Sequence, residues 1–191
     1  MRYIMELLYH SLVGYLIGSV PFADWIRTRF LKPDSQNHNI EAEIFAFTLD
    51  MLKVTLSVFL GLAYSSRPWP TVCIGISAAL GHCYPLFARF RGGTGISSLF
   101  GFLLALWAFG GQSAGVFFFP LQFLLLLLFL TKNKAVSGFL SALEAILCVW
   151  AYGGHVSYIF AAAIFAMLIL TRHRHYIQHL RSGTEYTVSW R

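Results

Sequence analysis

One stretch concentrates the residue types that anion chemistry needs: Gly81-His82-Cys83-Tyr84-Pro85-Leu86-Phe87-Ala88-Arg89-Phe90-Arg91-Gly92-Gly93-Thr94-Gly95. It opens on a histidine inside an apolar run and closes on two arginines and a three-glycine loop. Gly92, Gly93 and Gly95 let backbone N–H groups approach an anion, and a helix starting just beyond them presents its positive end to the same place. Arg89 and Arg91 add charge, and Ser97 and Ser98 add hydroxyls in the first turn of that helix. His82 is of the type that moves protons near neutral pH. A lone histidine in an apolar segment is more often a satisfied polar group, so it is the glycine loop that singles it out. His82 sits about two turns from Arg89 along the chain, and Pro85 between them marks a helix break. The bland alternative is a tight turn flanked by cationic membrane anchors.

Other polar groups stand out against an apolar background. Lys32 to Asn39 is the most polar run, and Ser35, Asn37 and Asn39 offer donors and acceptors to a small ligand, as solvated loops also do. Asp50 and Lys53 are three apart and share one helical face. Charges inside a span face the bundle interior or water, so the two either neutralise each other or reach a site. Asp24 falls close to the inner interface, and Glu144, alone in its span, either meets a polar group on another helix or is protonated. Thr171 to Glu185 is basic; Tyr176, Ile177 and Leu180 suit an amphipathic interfacial helix, and a basic tail binding anionic lipid heads is the simpler reading. Cys73, Cys83 and Cys148 lie in apolar runs without paired spacing, as buried small residues and not as a disulfide framework or metal site.

The elements that must position these groups are membrane helices. Of 191 residues, 57% are hydrophobic and 12% charged, with a mean hydropathy of +0.64. A soluble domain carries about twice that charge, roughly 25%. Leu121 to Leu130 reads LQFLLLLLFL inside an uncharged stretch from Gln112 to Thr131, about the ~20 residues that cross a ~30 Å hydrocarbon core. Seven spans fit, near 7–27, 42–64, 69–89, 95–111, 113–131, 135–152 and 154–171. The expected protein is all-α, one polytopic domain over residues 1–191, with consecutive helices antiparallel. The fourth and fifth spans carry little polar chemistry and read as scaffold. Small residues at Gly14 and Gly18 allow close helix contact, and Pro21 should kink or end the first helix near Ser19.

Alternating the spans places Arg27, Arg29, Lys32, Arg89, Arg91, Lys132, Lys134, Arg172, Arg174, Arg181 and Arg191 on one side. Arg2 and Arg67 fall on the other, and Lys53 lies within a span. Eleven of fourteen cations on one face is a positive-inside pattern. It predicts an outside N-terminus, a cytoplasmic C-terminus and a cytoplasmic glycine loop. The formal charge of +6 is thereby explained without nucleic acid. The first apolar segment lacks the flanks of a cleavable signal peptide.

Four stretches together resemble one family, the acyl-phosphate-dependent glycerol-3-phosphate acyltransferases of bacterial plasma (inner) membranes, small seven-span enzymes of phospholipid synthesis. Gly18-Ser19-Val20-Pro21-Phe22 is similar to the first-span signature, and Leu49-Asp50-Met51-Leu52-Lys53 to the second-span motif. Gly81-His82 through Gly95 resembles the central GHxxPxFxxFxGGxG segment, and Arg172-His173 through Gly183-Thr184-Glu185 the C-terminal motif. The resemblance implies transfer of an acyl group from acyl phosphate to glycerol 3-phosphate or a related small phosphorylated acceptor, without metal or cofactor. It implies His82, His173 and Ser35 at the chemistry. By the same resemblance Gly92, Gly93, Gly95 and Asn37 would hold phosphate, with Asp50, Lys53 and Glu185 in support; Arg91, Thr94 and Ser97 join the phosphate-binding candidates from their place in and beside the glycine loop.

The sequence also departs from that pattern. The first loop of the family reads approximately GSGNxGATN before an arginine; here Ser35 and Asn37 match S-x-N, but the flanking glycines and the arginine have no counterpart. Thr94 stands where the family has a phosphate-contacting lysine, and Tyr176 where it has an asparagine. A charge-assisted bond to phosphate contributes about 1.5–3 kcal/mol, so the three losses together correspond to roughly 10³-fold or more in rate or affinity. The alternative is therefore a catalytically impaired relative that binds lipid or serves a membrane-protein partner as a subunit. A transporter fits less well, because the charges cluster at one interface.

Overall fold

The computed structural model describes residues 2–22, 25, 40–65, 67–90 and 92–173. These form seven α-helices: α1 (Arg2–Gly18), α2 (Ile40–Tyr64), α3 (Pro68–Cys83), α4 (Ile96–Ala108), α5 (Gly115–Thr131), α6 (Lys134–Ala151) and α7 (Val156–Arg172). A single 3₁₀ turn, Leu86–Ala88, lies between α3 and α4. Three segments are long and apolar enough to cross a membrane, Glu41–Tyr64, Pro68–Ala88 and Lys134–Ala151. Three more helices, α4, α5 and α7, are apolar but shorter.

α4 is the centre of the bundle. It is apolar on every side, which suits a helix with neighbours all round, and Leu99, Phe100, Phe102, Leu103 and Leu106 are fully buried. Val54 and Val58 of α2, Val72 and Ala78 of α3 and Phe165 of α7 belong to the same core. Thr55 of α2 donates to the carbonyl of Gly101 at 3.0 Å, and a Cβ at Gly101 would collide with the Met51 carbonyl. Around α4, α1 packs on α3, α2 on α3 and α4, and α6 between α5 and α7.

The outer surface is apolar too. Leu12, Phe45, Leu126, Phe129 and Met167 are exposed, which a bundle tolerates when lipid is the solvent.

The α1–α3 seam is set by small residues. A Cβ at Gly14 or Gly18 would run into the backbone carbonyls of Ile74 or Ala78, and one at Gly81 into that of Tyr15. α1 stops as Pro21 predicts: Ser19 N–H still reaches the Tyr15 carbonyl at 2.9 Å, but proline supplies no donor to continue the ladder. The expected first span, 7–27, thus becomes a helix that starts at Arg2 and closes at Gly18.

The third span runs from Pro68 to Ala88, close to the expected 69–89. Its α-helix stops at Cys83, at the break expected from the proline, because Pro85 forces Tyr84 out of helical geometry (φ −131°, ψ 64°). Arg89 therefore lies beyond the break, in a left-handed turn with Phe90 (φ 51° and 61°), and not on the helix that carries His82.

The helices alternate between two ends. At one, Lys134 at the start of α6 meets Glu43 at the start of α2 (3.1 Å), and Arg172 at the end of α7 meets the glycine loop. At the other, Arg67 before α3 sits 4.9 Å from the Tyr3 ring centre. Trp69 packs edge-on against Phe160 there. Asn133 caps α6 with its side-chain oxygen, accepting from the N–H groups of Ala135 and Val136 at 3.0 and 3.2 Å.

Candidate functional site

The site forms where α2, α3, α4 and α7 converge. From α2 come Asp50 and Lys53, both buried and 2.8 Å apart. Lys53 also donates to the Val20 carbonyl just past the end of α1, at 2.9 Å. The pair thus neutralises itself and ties α1 to α2, as a charge inside a bundle must.

His82, in the last turn of α3, faces this pair. Its Nδ1 lies 3.6 Å from Asp50 Oδ1, and its Nε2 lies 3.3 Å from Ser97 Oγ in the first turn of α4. Both His82 and Ser97 are buried. The carboxylate on the Nδ1 side favours the tautomer with hydrogen there, which leaves the Nε2 lone pair facing the Ser97 hydroxyl.

The glycine loop closes over the ring. Gly93 N–H donates to the His82 carbonyl at 3.0 Å, so this amide is used within the protein and is not free for an anion, contrary to the sequence expectation. A Cβ at Gly93 would overlap His82 Nε2, and one at Gly92 the His82 carbonyl; only glycine lets the loop lie this close. Gly95 precedes α4 in the left-handed region (φ 88°) with no side-chain cap on the helix. The first-turn N–H groups of α4 are therefore those a helix leaves unbonded. Thr94 is exposed.

Arg172 is the residue that sequence reasoning missed. Its guanidinium donates to the Gly93 and Gly92 carbonyls at 3.1 and 2.6 Å and lies 5.0 Å from the Tyr84 ring centre. Tyr84 is held in turn by α1, its carbonyl accepting from Tyr15 Oη at 3.0 Å. Arginine suits this task because its planar fork serves two carbonyls and an aromatic face together. In the sequence it reads as one more cationic anchor; its distance from the glycines, 79 and 80 positions, hides the contact.

His173 follows directly, beyond the end of α7 and buried, with Nδ1 2.9 Å from the Ile169 carbonyl. Burial holds its imidazole below the ordinary histidine range, against the opposing effect of that carbonyl. It lines an apolar cleft of about 120 Å³ with Ala135, Val136, Phe139, Leu140 and Leu170. Of the residues expected at the site, His82, Gly92, Gly93, Thr94, Gly95, Ser97, Asp50 and Lys53 thus come together, and His173 sits beside Arg172 at the same end. Ser35, Asn37, Arg91 and Glu185 lie outside the described residues, as do Asp24 and Tyr176.

Two smaller expectations resolve. Glu144 keeps one carboxyl oxygen buried with no hydrogen-bond partner among the described residues. The cysteines are free, but only Cys83 is fully buried.

An all-helical bundle with apolar outer sides and a polar, glycine-roofed histidine at one end defines an integral membrane protein with a candidate site at that end. The glycerol-3-phosphate acyltransferase family model matches residues 8–183, and the chain belongs to that family. Glycerol-3-phosphate acyltransferases of Streptococcus pyogenes serotype M5 (strain Manfredo) and serotype M49 (strain NZ131) are each 26% identical over 208 residues, covering 97% of this chain and 95% of the relative. The fold is similar to crystal structures of PlsY, an integral membrane glycerol 3-phosphate acyltransferase. Its glycerol 3-phosphate form superposes with a TM-score of 0.82 at 24% identity over 96% of both chains. The lysophosphatidic acid form gives the same score over 96% of this chain and 95% of the other.

Proposed function

We propose that this chain transfers an acyl group from acyl phosphate to glycerol 3-phosphate, or a related small phosphorylated acceptor, for phospholipid synthesis at the cytoplasmic face of a bacterial plasma membrane. The observation that carries this reading is the closure of the glycine loop over His82 at the uncapped start of α4. That arrangement offers backbone donors to a phosphate beside a group able to take a hydroxyl proton.

In this reading His82 receives the acceptor proton while the start of α4, beneath the loop, holds phosphate. Asp50 faces His82 Nδ1, and Lys53 pairs with Asp50. By the family resemblance Ser35 takes part in the chemistry, Asn37 and Arg91 hold phosphate and Glu185 supports them, while His173 sits at the same end as the loop. The concentration of arginines and lysines at the loop end supports a cytoplasmic site, seven spans and an outside N-terminus.

The test is purified protein in lipid vesicles with acyl phosphate and labelled glycerol 3-phosphate. Lysophosphatidic acid should form, and H82A and H173A should each lose it by about 100-fold or more. Wild-type turnover no faster than these variants would sink the enzyme reading in favour of a lipid-binding or subunit role.

A further inference from the structure

Glu144 is an ionisable side chain inside a span, away from the candidate site. It lies ten residues beyond Lys134 in α6, about 15 Å along the axis, which is the middle of a ~30 Å hydrocarbon core. Asp50 of α2 has Lys53 at 2.8 Å. Glu144 has no such neighbour to use: its Oε2 is buried with no hydrogen-bond partner among the described residues. The nearest hydroxyl on its own helix, Ser141, is already committed to the Pro120 carbonyl of α5 at 2.7 Å. On α6 the inward face is taken up by Ala142, Ala145 and Val149, all fully buried in the core. The outward face carries Leu140, Leu143, Leu147 and Trp150, exposed by 36%, 40%, 62% and 70%. Their spacing of three, four and three puts them in one stripe, the seam pattern of paired helices. Glu144 flanks that stripe, next to Leu143, and is half-buried.

We propose that the outer face of α6 is a homodimer interface, in which the Glu144 carboxyls of two copies hydrogen-bond to each other within a seam of Leu140, Leu143, Leu147 and Trp150. Hydrocarbon offers a carboxyl no partner, and such groups in a span pair with protein or line water. Removed from water the group is neutral, and a neutral carboxyl carries one donor and one acceptor. An identical carboxyl satisfies both at once, so the group is complementary to itself. A two-fold axis brings a residue to its own copy, and an axis along the membrane normal keeps both copies in one orientation. The leucines supply the packing, and the carboxyl pair fixes which residues meet, as polar contacts between membrane helices do.

The experiment measures association of the full chain in phospholipid vesicles, by energy transfer between donor-labelled and acceptor-labelled copies as the protein-to-lipid ratio is varied. Wild type should dimerise. E144L, which keeps an apolar outer face but no hydrogen-bonding group, should weaken the dimer by about 10-fold or more in dissociation constant. E144Q, whose amide also carries donors and an acceptor, should stay within about threefold of wild type. Melting of E144L and E144Q in detergent checks that the bundle itself is intact. The face is mapped by mild oxidation of single cysteines in a variant lacking Cys73, Cys83 and Cys148. L147C should cross-link to a dimer, whereas L12C on α1 and L56C on α2, equally outward positions, should not. A wild type that stays monomeric at the highest protein-to-lipid ratio would overturn the proposal, as would E144L that associates as tightly as wild type. Cross-linking at L12C or L56C in place of L147C would overturn the face. In native membranes, cross-linking of L147C only to a chain of different mass would overturn the second copy as the occupant.

Discussion

At Gly93 the absence of a side chain is itself the structural feature. A methyl group there would occupy the space of His82 Nε2, so the loop or the ring must move. Displacing a reacting group by about 1 Å costs roughly 100-fold in rate, and G93A should lose that much activity while the protein still purifies as a folded species. Arg172 holds the same loop from the other side. R172A removes two charge-assisted bonds of about 1.5–3 kcal/mol each before relaxation. R172K keeps the charge but loses the fork, so it should recover less than half of the lost activity; full recovery by lysine would show that charge and not geometry matters. His173 carries a pH signature. Its folded-state value is lowered by burial, so the neutral form is favoured in the folded protein, and its contribution is fully present above the unfolded value near 6.5. As pH falls below about 6.5 the unfolded chain takes up its proton first, and stability declines until the lower folded value is passed, by at most about 1.4 kcal/mol per pH unit. Thermal midpoints from pH 7.5 to 4.5 should drop less steeply in H173Q than in wild type.

At the scale of elements, what the sequence shows depends on how local the cause is. Pro21 ends α1 as expected because a missing N–H acts within one turn, and Asn133 caps α6 through its nearest amides. Pro85 marks the break that ends the α3 helix at Cys83 in the same local way, while the apolar Leu86-Phe87 segment beyond it still belongs to the span. The Asp50–Lys53 pair was legible from its spacing, whereas its contact with His82 and with the Val20 carbonyl depends on tertiary packing. K53M leaves Asp50 buried without its counter-charge and should destabilise the bundle by about 3–5 kcal/mol. The double variant D50N/K53M, with no unpaired charge, should recover most of that in a detergent melting assay. The α1–α3 seam makes a sharper demand. G18L puts a side chain against the Ala78 backbone, and overpacking of this kind costs about 1–3 kcal/mol. The same change at Gly111, where nothing lies within 4 Å of a Cβ, strains only a left-handed backbone. The two melting points therefore separate packing from conformation.

At the scale of the molecule, the two ends differ in kind. The end with Tyr3, Trp69 and Phe160 carries aromatic contacts and the Arg67–Tyr3 stack. The other end holds the polar candidate site, the Lys134–Glu43 pair and Arg172. Only the cation distribution discriminates inside from outside, because aromatic belts form at both membrane faces. The orientation proposal can therefore be tested without reference to activity. A fluorescent reporter that matures only in the cytoplasm, fused after Arg191, should fluoresce, while the same reporter fused before residue 2 should not. Single cysteines at Thr94 and Gly111, introduced into a variant lacking Cys73, Cys83 and Cys148, refine the test. A membrane-impermeant thiol reagent added to intact cells should label position 111 and leave position 94 unlabelled until the cells are opened. The reverse pattern would place the glycine loop outside. An enzyme with that orientation would have to draw acyl phosphate and glycerol 3-phosphate from beyond the membrane, so it would overturn the assignment of both substrates together.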